Sequence, residues 1–153
     1  MLTQGSHKRP ASGHNAYVID LALAQRLSVL LIARDIPWQP NPGDRFVVAD
    51  RDLDQVFVIA DMTIEVQDLH GGRLIRFNGT TEWALDSIDA AEVVWLPWEH
   101  QLRELLGTAF AGLESLPQPA QGYAVCLVDG TRHVDTDADR AYLRALLATL
   151  DDA

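Results

Sequence analysis

Four side chains able to do polar or acid–base chemistry, Asp44, Asn78, Glu82 and His100, are spread through the middle of the chain. Around one pocket, a carboxylate and the imidazole could act as acid and base. Glu99 and His100 are adjacent, but on an amphipathic helix such a pair normally faces water. A pocket near Glu82 and His100 is therefore one reading, and it requires these groups to converge in the fold.

Asp50, Asp52, Asp54 and Asp61 fall at positions 1, 3, 5 and 12 of a possible calcium loop. Position 6 is Gln55 where the sharp turn of such a loop needs glycine, so the set reads as an acidic surface turn. Asp135, Asp137 and Asp139 precede a helix, where acids offset the helix dipole. The histidines, His7, His14, His70, His100 and His133, show no metal-binding spacing. The single cysteine, Cys126, lies in the strand-like run YAVCLV and reads as a small core residue. A nucleophilic role would need a basic neighbour, for which His133 is the nearest candidate. No GxxxxGK[ST], GxGxxG or GxSxG pattern is present. No metal, cofactor or catalytic residue is expected.

Aromatic chemistry is the stronger signal. Trp83, Trp95 and Trp98 crowd into 77–107, FNGTTEWALDSIDAAEVVWLPWEHQLRELLG. Indoles of this kind clamp short helices onto a sheet, or they line a groove for a partner. If there is a binding surface, its residues are Trp83, Trp95 and Trp98 with Glu82, Gln101 and Asn78.

The elements that must position these residues follow from periodicity. Residues 20–35 place Leu23, Leu27, Leu30, Leu31 and Arg34 at helical spacing, with Asp20 as cap and Pro37 as terminator. Residues 45–49 form a short strand, and 56–60 (VFVIA) read as a central strand buried on both faces. Residues 63–69 and 73–77 form a hairpin about His70-Gly71-Gly72. A short helix is expected over 81–88, capped by Thr80 or Thr81. Residues 93–95 read as a brief strand or an extended linker. The next helix starts at Pro97 and stops at Gly107. Strands are expected at 110–116, 123–128 and 131–134, with a turn at Asp129-Gly130. A last helix runs to about Leu150 behind a Thr136-x-x-Asp139 capping box.

Of the 153 residues, 48% are hydrophobic and 22% charged, ordinary for one globular domain. A formal charge of −10 with scattered Lys and Arg argues against nucleic-acid binding. No apolar run approaches the ~18 residues of a membrane span. Residues 1–16 read as a flexible tail without a secretory leader. Residues 17–150 read as a single α+β domain, a mostly antiparallel sheet packed by helices. Two pseudo-repeated helix–sheet–helix units are suggested by the polar cap leading into a helix in each half.

NGTTEWALDS and WLPWEHQLRELLG carry a resemblance over 17–150. The chain resembles a family of small actinobacterial proteins labelled as pilus-assembly proteins of the CpaE type. The label implies a ParA/MinD-like ATPase. The phosphate-binding motif of such enzymes is missing, so the resemblance places no catalytic residue here. The expected function is a cytoplasmic, non-enzymatic binding or protein-interaction module. An accessory role in pilus assembly or secretion, and a small enzyme or ligand-binding protein, are the alternatives.

Overall fold

The computed structural model describes residues 20–48, 56–59, 63–78 and 87–152. The tail, the acidic set at 50–54 and 61, Glu82 and Trp83 lie outside the described residues. The fold is α+β and mostly antiparallel. Helix α1 (Leu21–Ala33) precedes strands β1 (Arg45–Val48), β2 (Phe57–Val58), β3 (Thr63–Leu69), β4 (Gly72–Asn78), β5 (Ser87–Asp89) and β6 (Val93–Leu96). Helix α2 (Glu99–Leu106), strands β7 (Phe110–Leu116), β8 (Gly122–Leu127) and β9 (Arg132–Asp135), and helix α3 (Ala138–Asp152) complete it. Among the described residues the strands form three antiparallel sheets, ordered β2-β1-β6, β3-β4-β5 and β7-β8-β9.

α1 forms where the leucine spacing places it. The Asp20 carboxylate accepts from the Ala22 and Leu23 amides, satisfying donors that a helix start leaves orphaned. Ala24, Leu27 and Leu31 are buried, while Leu23 and Leu30 pack at the margin. α3 is the hub, packing on α1, α2, β8 and β9. Its Ala141, Tyr142, Leu143, Ala145, Leu146 and Leu147 are all buried. A second, smaller cluster of Phe46, Val48, Ile59 and Val93 lies apart from this core, and Trp38 packs against both.

Four expectations need correction. The described part of VFVIA, 56–59, lies at a sheet edge rather than at its centre: Phe57 and Val58 pair with β1, Ile59 bonds to the backbone of Gly43 and Asp44, and Val58 is exposed. Its apolar residues serve both clusters, Phe57 and Ile59 the smaller one and Val56 the main core. The expected helix at 81–88 cannot keep its last turn, because Ser87 and Ile88 pair with Arg76 and Ile75 of β4. A ladder of that kind overrides the weak helix propensity of a Ser/Asp-containing segment. Pro97 precedes the N-cap of α2 instead of opening the helix; Trp98 is the extended N-cap, and Gln101 accepts its backbone N–H at 2.9 Å. Asp137, not Thr136, caps α3, accepting from the Arg140 amide at 3.1 Å. Gly107 does close α2, at φ 53°, and Gly71 turns the β3–β4 hairpin at φ 116°, where a side chain would be strained.

Asp135 ties β9 to α3. Its two oxygens accept from Arg140 Nε at 2.8 Å and Arg144 Nε at 2.8 Å. Burial pushes the carboxyl up, but the bonds from Arg144, Arg140 and the Asp137 amide outweigh it and hold it at about 2. An unfolded Asp titrates near ~3.9. The folded value is depressed, so this stabilisation is full above ~4 and is lost as the pH falls through about 2. We expect the urea midpoint of the wild type to exceed that of Asp135→Asn at neutral pH. The gap should close on acidification through that window; a gap independent of pH would disprove the coupling.

Candidate functional site

The segment 37–44, PWQPNPGD, joins α1 to β1 and is held by one carboxylate. Asp44 is 3% exposed. It accepts from Trp38 Nε1 at 2.8 Å, from the Asn41 amide at 3.0 Å and from Gln101 Nε2 at 2.6 Å. Three donors on one buried carboxylate make it an organiser of the loop and of the start of α2. Its acceptor capacity is committed to the fold, which leaves little for a substrate proton.

Trp98 stands beside this network. Its Nε1 donates to the Gly43 carbonyl at 2.9 Å, and the Arg45 guanidinium lies 3.5 Å above its ring. Arg45 also donates to the carbonyls of Leu96 and Pro97, at 3.3 and 2.9 Å, and reaches Asp139 at 3.7 Å. Burial lowers the Arg45 guanidinium, and Asp139 opposes that shift. The cation thus pins β1, the end of β6 and the start of α3 around one indole, a contact strengthened by partial desolvation. Trp98 is a staple with an exposed edge.

Trp95 is the buried member. Its ring stacks on Trp38, with centroids 6.0 Å apart and planes 10° from parallel. Its Nε1 is buried and has no hydrogen-bond partner among the described residues. A buried indole N–H usually finds one. Trp38 and Trp95, with Leu31 and Pro37, form a wall shared by two open cavities. One, about 270 Å³, is completed by Asp44, Gln101, Glu104 and Leu105. The other, about 440 Å³, runs between α1 and the β3–β4 hairpin, bounded by Ile32, Gly71, Gly72, Arg73, Asp89 and Val93.

Of the residues expected to form a binding surface, Trp95, Trp98 and Gln101 meet around Asp44. Asn78 is the last residue of β4, and no contact of its side chain is described. Of the enzyme-like set, Asp44 is buried in its own network, and His100 is exposed on α2 and borders neither cavity. The residues missed from sequence are Trp38, Arg45 and Arg73. A Trp six residues before an Asp, in a loop of prolines, was the available signal.

Cys126 is half-buried and unbridged. The β8–β9 register sets Arg132 opposite Cys126 and His133 opposite Val125. Successive strand residues point to opposite faces, so His133 and Cys126 are on different sides of the sheet. Among the described residues no group of acidic, His or Cys side chains could hold a metal, and no helix is long and apolar enough to cross a membrane. No protein-family model, curated protein or solved structure matches the chain.

Proposed function

We propose that the protein is a non-enzymatic binding module whose partner docks along the groove between α1 and the β3–β4 hairpin. One observation carries this reading: the 440 Å³ cavity reaches Ile32, on an apolar side of α1 that the described residues leave exposed. Val29 and Ile32, three residues apart on one side of α1, are each 66% exposed, and Ile36, just beyond the helix end, is 50% exposed. Scattered surface apolar residues are normal, but a row beside an aromatic-walled groove is the pattern of an interaction site. Asp44, the buried carboxylate beside the groove, is committed to structural bonds, which favours binding over catalysis.

Site-specific photocrosslinking tests it. A benzoylphenylalanine at Ile32 should give a discrete higher-mass adduct in the native cells, and the same group at exposed Ala111 on β7 should not. No adduct at position 32, or the same adducts at both positions, would rule the reading out.

A further inference from the structure

The groove's rim and floor say what chemistry the occupant must have. Asp35 and Asp89 are both exposed at its edge. Asp89 accepts only the Ala91 amide, at 2.9 Å, and neither carboxylate has an ion-pair partner among the described residues. Arg73, the one cation lining the groove among the described residues, is already engaged. It pairs with Asp68 at 3.3 Å and donates to the Trp38 carbonyl at 3.4 Å and to Gln39 Oε1 at 3.1 Å. The rim therefore presents net negative charge over an apolar channel of Leu31, Ile32, Pro37, Trp38 and Val93. Below it, Trp95 borders the groove with a buried N–H that has no acceptor among the described residues.

We infer that the groove takes a segment of a partner protein bearing apolar side chains and a lysine or arginine. This rests on the reading of the groove as the docking site. The apolar side chains fill the channel and extend along Val29, Ile32 and Ile36. The basic group reaches Asp35 and Asp89, which have no ion-pair partner among the described residues. An acidic or phosphorylated segment would meet like charge at the rim and is excluded by the same argument.

The test is selection from a phage library of random dodecapeptides on the immobilised full chain. Enriched sequences should combine apolar residues with a lysine or arginine. A synthetic peptide of the enriched sequence should bind Asp35→Asn/Asp89→Asn about tenfold more weakly, the size expected of an interfacial charge contact. Both positions are exposed, so this variant keeps the fold. Enriched peptides without basic residues, or equal binding to the wild type and the double variant, overturn the charge inference. In either case, loss of binding in Ile32→Asp would keep the groove as the docking site. If no peptide is enriched on the wild type over Ile32→Asp, the docking reading itself fails.

Discussion

Asp44→Ala should lower the free energy of unfolding by roughly 3–5 kcal/mol, the cost typical of removing one partner from a buried charged network. The substitution strips the acceptor from Trp38 Nε1, the Asn41 amide and Gln101 Nε2 together. Each donor would then be left unpaired or would have to admit water. The effect also reaches the backbone, because the Asp44 carbonyl accepts from Ile59 and joins 56–59 to the sheet. A loss of that size is a large fraction of the ~5–15 kcal/mol stability of an ordinary domain. It should lower the melting temperature by about 10 °C at this chain length. Asp44→Asn should cost less, since the amide keeps one acceptor oxygen but turns donors toward Trp38 or Gln101. Urea denaturation of the two variants checks this. A cost below ~1 kcal/mol for the alanine variant would mean that the loop does not depend on the carboxylate.

That carboxylate marks where sequence reading stopped. The elements whose signal is local periodicity, α1, the β3–β4 hairpin, β8 and α3, lie within a residue or two of where spacing and turn residues place them. Caps were partly legible: Asp20 and Gly107 act as expected, while Thr136 lost to Asp137 and Pro97 to Trp98. There the choice among adjacent polar or turn residues rests on the exit angle of the preceding strand, which no local pattern records. What was illegible is non-local. The pairing of Ile75 with Ile88 decides that Ser87–Asp89 is strand. The meeting of Asp44 with Gln101, 57 residues away, decides that a loop aspartate is buried. The division of labour between Trp95 and Trp98 was not visible in the sequence. Trp95 sits in the core and Trp98 at its margin, because β6 ends between them and the chain turns into α2.

Tyr142→Ala should have a comparable effect, roughly 3–5 kcal/mol, the range for removing a buried aromatic ring. Tyr142 is 1% exposed and heads the largest fully buried side chains of the fold. Its ring stacks on Phe110 at 5.6 Å, joining α3 to the start of β7. Its hydroxyl is near Glu99 at the start of α2. Burial first, and then Glu99, push the phenol up to about 12. Removal of the ring thus opens a cavity where α2, α3 and the third sheet meet, and close packing lets neighbours relax only in part. Tyr142→Phe separates the two contributions. It keeps the stacking and the volume, so its cost should stay near ~1 kcal/mol, that of a single hydrogen bond. The pH dependence also differs. A phenol raised in the folded state stabilises fully below ~10 and loses that contribution as the pH climbs through about 12. The wild type should therefore lose its advantage over Tyr142→Phe in strong alkali, while its advantage over Asp135→Asn persists there and disappears only in acid. If Tyr142→Phe proved as costly as Tyr142→Ala, the hydroxyl rather than the ring would be what holds α3 against its neighbours.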